Sequence, residues 1–130
     1  MKRYVDEAGS DRVRGWLAAD PSATARLSAV EVASALARRC REGAFSSADR
    51  DRALAALEGD LATLRVVELS ASVTEEARSL LLRHPLRAGD AIQLASALLL
   101  RRQLGVRVEF AAFDDRLASA ARAEGLDPIP

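Results

Sequence analysis

Short apolar runs, each followed by a longer segment of helical periodicity, recur along this chain, and the alternation narrows the folds open to it. Three runs have the length and residue types of buried strands: ATARLS (Ala23–Ser28), RVVEL (Arg65–Leu69) and VRVEFAAF (Val106–Phe113), the last carrying the strongest signal. Strands separated by whole helices do not close as tight hairpins, so the expected arrangement is a short parallel sheet joined by right-handed crossovers and covered by helices on both faces. One domain over residues 1–130 is expected, since a chain of this length buries a sizeable core without metal or disulfide staples.

The helical segments are punctuated clearly. SDRVRGWLAA (Ser10–Ala19) sets Val13, Trp16 and Leu17 on one face and stops at Asp20-Pro21. AVEVASALARRCREG (Ala29–Gly43) ends in basic residues and a glycine, as helix C-termini prefer. SSADRDRALAALEGDLATL (Ser46–Leu64) spaces Leu54, Leu57, Leu61 and Leu64 helically, and with the preceding helix suggests an antiparallel pair. SVTEEARSLLLRH (Ser72–His84) opens like a capping box, DAIQLASALLLRRQLG (Asp90–Gly105) is the most apolar helix, and DDRLASAARAEG (Asp114–Gly125) closes at Gly125. The chain finishes LDPIP, to which no element is assigned.

Composition excludes some functions. Lys plus Arg and Asp plus Glu each number 19, so nucleic-acid binding would need a local patch and not overall charge. A single cysteine, Cys40, rules out an internal disulfide, and no stretch has the character of a signal peptide or membrane span, which makes the cytoplasm the expected location.

In open parallel sheets, active sites gather beyond the carboxyl ends of the strands. Three acids meet that condition: Glu31 shortly after ATARLS, Asp90 at the mouth of the apolar AIQLASALLL run, and Asp114 directly after VRVEFAAF. Carboxylates converging from separate segments repel one another unless a cation neutralises them, and Mg²⁺ and Mn²⁺ prefer such oxygen ligands. Asp90 and Asp114 equally suit helix N-caps, so from the residues alone a metal site and a set of caps both remain open.

LSAVEVASAL, LRAGDAIQLASAL, FAAFDDRLASAA and the terminal AEGL, in this order and at these separations, resemble the PIN domains of the VapC toxin type, metal-dependent ribonucleases paired with VapB antitoxins. The resemblance implies a helix-rich, three-layer α/β/α fold of PIN type and an endoribonuclease, the toxin of a type II toxin–antitoxin pair, hydrolysing RNA phosphodiester bonds with Mg²⁺ or Mn²⁺. It assigns catalytic and metal-site roles to Glu31, Asp90 and Asp114, with Asp115 as a helper. Ser28 matches a family Ser/Thr that supports a ligand or water; a helix N-cap three residues ahead of Glu31 is the competing reading. Arg87 and Arg116, each beside an assigned ligand, are candidates for RNA phosphate contacts. The implied partners are an RNA substrate, a VapB-like antitoxin and a second copy of the chain in a homodimer, with no membrane. The helices carrying Val13, Trp16, Leu17, Leu54 and Leu57 would offer the antitoxin its groove.

One part of the family pattern has no counterpart. Members begin with a strand of the type hhhDxSxhhK whose Asp is the first ligand, whereas MKRYVDEAGS resembles the segment just after that strand, and Asp6 and Glu7 do not substitute. A start misplaced at Met1, with about ten residues missing upstream, is expected, a length that suits one strand. The alternative function is a weakened or inactive truncated module that binds antitoxin or RNA without cleavage. His84 reads as a partner for the end of its helix, Cys40 as an inert thiol and Trp16 as a packing residue.

Overall fold

The computed structural model describes residues 10–19 and 22–129. Helices alternate with three-residue strands: α1 (Ser10–Ala19), β1 (Ala23–Ala25), α2 (Leu27–Arg41), α3 (Ser47–Thr63), β2 (Arg65–Val67), α4 (Ala71–Arg83), α5 (Ala88–Leu104), β3 (Glu109–Ala111), α6 (Asp115–Ala123) and β4 (Asp127–Ile129). This is the helix-rich α/β class expected, with β1 paired to β2 and β3 paired to β4. The chain divides into two compact units at Val66/Val67. Asp6, Glu7 and the Asp20-Pro21 stop lie outside the described residues.

In the first unit α2 packs on α3, burying Leu36 from one and Ala53 and Leu57 from the other. Gly43 closes α2 with φ +76°, its N–H donating to the Cys40 carbonyl at 3.1 Å, a conformation glycine adopts without steric cost. Ser46 then caps α3, accepting from the Asp49 N–H at 3.0 Å.

The second unit holds a denser core. Ala91, Leu94, Ala95 and Leu98 recur at helical spacing on α5 and are excluded from water. Val73, Ala77 and Leu80 of α4 and Leu117, Ala120 and Ala121 of α6 join them in one apolar cluster. Burying each leucine contributes roughly 1.5–3 kcal/mol, which makes α5 the anchor of this unit. Ser96, buried in the same helix, satisfies its hydroxyl on the Ile92 carbonyl at 2.7 Å, so the core holds no orphaned donor there. β3 and β4 run parallel, with Phe110 opposite Pro128.

Several boundaries differ from expectation. VRVEFAAF contributes only Glu109–Ala111 to a strand, because a strand extends only as far as its partner and β4 is three residues long. β4 itself escapes a sequence reading: prolines at 128 and 130 read as breakers, yet a two-stranded pair tolerates a proline whose missing N–H faces away from the partner. α2 begins at Leu27, within the run read as strand, which shortens β1 to Ala23–Ala25. The cap of α4 is Ser70, accepting from the Val73 N–H at 3.2 Å, and not the box opening at Ser72.

Candidate functional site

The start of α5 positions Asp90. The N-cap is Arg87, whose side chain makes no capping bond, and Asp90 is the third helical residue. The cap reading of Asp90 is therefore overturned. The fully buried Ala91, next in the chain, and Leu94, one turn on, pin this end of the helix to the core, while Asp90 is half-buried. Its carboxylate forms no hydrogen bond or ion pair with another described residue. A charge in the first turn gains from the helix dipole, on the order of 0.3–1 kcal/mol, which is the whole of the structural benefit visible for it.

Asp114 behaves differently. It is the N-cap of α6, and its Oδ1 accepts from the Leu117 N–H at 3.0 Å. The cap reading holds here, yet it occupies one carboxylate oxygen only, so the second remains open to another ligand. Asp115 and Arg116 follow on the exposed first turn of α6 and, like the exposed Arg87, pair with no other described residue.

His84, Pro85, Asp115, Arg116, Ser119 and Ala120 line an open concavity of about 340 Å³ between the end of α4 and the start of α6. His84 is the C-cap residue of α4, but its ring reaches beyond that helix: Nε2 lies 2.8 Å from Glu124 Oε1. Arg83 donates from Nε to the same oxygen at 2.9 Å. Burial pushes the Glu124 carboxyl up, but the hydrogen bonds from His84 and Arg83 outweigh it and hold the group below its ordinary value. Arg83 and Arg102 both approach Glu76, at 3.7 and 3.5 Å, extending the polar network across α4, α5 and α6. Glu124 was not singled out in the sequence, since a partner 40 residues from His84 leaves no local signal.

In the first unit, Glu31 is exposed at the fifth residue of α2. Ser28 lies inside the first turn of that helix, so it is not the N-cap; its hydroxyl is 2.7 Å from that of Thr24. Of the residues read as an antitoxin groove, Leu57 is buried and unavailable, Val13 and Leu54 are half-buried, and the side chains of Trp16 and Leu17 lie outside the described residues. Cys40 is a half-buried free thiol 3.8 Å from the Ser47 hydroxyl.

Every assigned ligand is a carboxylate, the hard oxygen donor that Mg²⁺ and Mn²⁺ take, so the chemistry of the donor set fits such an ion. Within the described residues of either unit, no three His, Cys, Asp or Glu side chains gather into a metal-holding group. Glu31 belongs to the first unit and the aspartates to the second. No helix among the described residues is long and apolar enough to cross a membrane.

Comparison with known proteins adds a family. Residues 4–123 match the PIN domain. Two proteins from strains of Mycobacterium tuberculosis, ribonuclease VapC45 and ribonuclease VapC49, are each 35% identical to this chain over 136 aligned positions, covering all of it and 89% of their own length.

Proposed function

The chain belongs to the PIN-domain family of VapC ribonucleases, and from that membership we propose that it is a Mg²⁺- or Mn²⁺-dependent endoribonuclease, the toxin of a toxin–antitoxin pair. Glu31, Asp90 and Asp114 are its catalytic metal-site carboxylates, Asp115 assists them and Ser28 supports a ligand or water. A divalent ion bound by such groups lowers the pKa of a water and withdraws charge from the scissile phosphate. The residues of the chain do the rest. Arg87 and Arg116, exposed and without a described partner, take RNA phosphates and so set the backbone against the acids. The buried face of α5 holds Asp90 on a rigid support, and rigidity at that position keeps the attacking water in line. A VapB-like antitoxin and a second copy of the chain are its proposed protein partners, and the cytoplasm its location.

The observation that carries this reading is Asp90: a half-buried carboxylate on the best-anchored helix, neither cap nor ion-pair member. Cleavage of a mixed structured RNA pool in Mn²⁺ by this chain, beside an identically purified Asp90→Asn variant, tests it. The wild type should cut and the variant should lose about a hundredfold or more, the scale of removing one preorganised charged group from a site. Equal cleavage by both, or by neither, would sink the assignment, and binding of RNA without cutting would favour the non-catalytic module.

A further inference from the structure

Of the residues around this concavity the proposed mechanism uses Asp115 and Arg116, while His84 and the Glu124 that holds it have no part in it. Glu124 holds the ring through Nε2, and Arg83 in turn holds Glu124. That arrangement fixes the ring orientation and leaves Nδ1 without a partner among the described residues. On the same concavity Arg116 and Ser119 also present polar groups with no described partner. A volume of about 340 Å³ suits a single small polar ligand.

We propose that this concavity is a ribose–phosphate subsite, in which Arg116 takes one phosphate of a bound RNA and His84 hydrogen-bonds the adjoining 2′-hydroxyl. The proposal rests on the ribonuclease reading for the identity of the ligand, and it adds a residue that distinguishes RNA from DNA. Two features select a hydroxyl for His84. Asp115 lines the same concavity and opposes a second anion, so only the phosphate at Arg116 is accommodated. A 2′-hydroxyl both donates and accepts, so it satisfies Nδ1 whether that nitrogen is a lone pair or carries a proton, whereas a phosphate satisfies only the protonated form. Pro85 gives the sugar an apolar wall, and Ser119 is available to a second sugar or phosphate oxygen. His84 acts here by binding and is assigned no proton transfer.

Fluorescence anisotropy of a labelled ten-nucleotide RNA and its all-deoxy counterpart, in EDTA so that nothing is cleaved, tests the subsite on the full chain. The wild type should bind the RNA about tenfold more tightly than the DNA, the worth of one such hydrogen bond. His84→Ala should bring the two affinities together by weakening RNA alone, with DNA affinity serving as its control for folding. Should His84→Ala fail to fold, His84→Phe, which keeps the ring volume without nitrogen, carries the same expectation. No RNA preference in the wild type, or an undiminished preference in a folded His84 variant, would overturn the proposal. Because the readout is binding, a chain that prefers RNA through His84 but never cuts it would sink the ribonuclease reading and keep the subsite, while cleavage without the preference would do the reverse.

Discussion

The starts of α5 and α6 each carry an aspartate that looks alike in sequence, and the protein puts them to different uses. α5 has no side-chain cap; it is held by the apolar face of Ala91, Leu94, Ala95 and Leu98, and its Asp90 is left with no structural task beyond the helix dipole. α6 is nine residues long and adds to its buried Leu117, Ala120 and Ala121 polar contacts at both ends, Asp114 on the Leu117 N–H and Glu124 against His84 and Arg83. The contrast teaches how a carboxylate becomes available for chemistry. Anchoring by hydrophobic burial leaves the polar group uncommitted, whereas anchoring by hydrogen bonds uses part of it.

The sharpest way to break the contrast is Leu94→Ala, which removes apolar contacts at a fully buried position of α5. It should cost about 2–5 kcal/mol in urea unfolding. By loosening the support of Asp90 it should also lower any Mn²⁺-dependent cleavage. Asp114 separates its two roles by choice of substituent: Asp114→Ala should cost about 1 kcal/mol through loss of the cap, while Asp114→Asn keeps the cap and should leave stability nearly unchanged. Cleavage should fall in both if the open oxygen serves the proposed ion, and retention of activity in Asp114→Asn would confine Asp114 to capping.

Glu124→Gln probes the other end of α6 through pH. The native Glu124 carboxyl is held below its ordinary value, so its contribution is fully present above that value and fades as pH falls through the lowered native one. The variant should therefore lose about 1 kcal/mol at neutral pH, discounted for partial exposure, and show a shallower decline of thermal midpoint in acid. An acid limb as steep as the wild type's would mean that the tie to His84 and Arg83 contributes nothing.

Helix positions were legible because periodicity and punctuation are local. The Gly43, Gly105 and Gly125 stops all take positive φ as their places at helix ends require, and the apolar stripe of α5 is buried as its spacing demands. Strand extents were not, since ladder length depends on a partner far along the chain, as the three residues kept from VRVEFAAF show. The candidate acids could be named, but not their duties. Asp90 and Asp114 differ in where their helices begin, at Ala88 and Asp115, and a shift of a residue or two at that point turns a cap into an uncommitted carboxylate.

What this sequence determined by itself is the helix-rich α/β class, the family its motifs resemble and the residues available to chemistry, because pattern, turn residues and side-chain type are properties of neighbouring positions. Tertiary structure alone decided which strands pair and that His84 meets Glu124 across 40 residues. Those outcomes depend on hydrogen bonds and burial between segments distant in the chain, whose energies exist only once the backbone has brought them together.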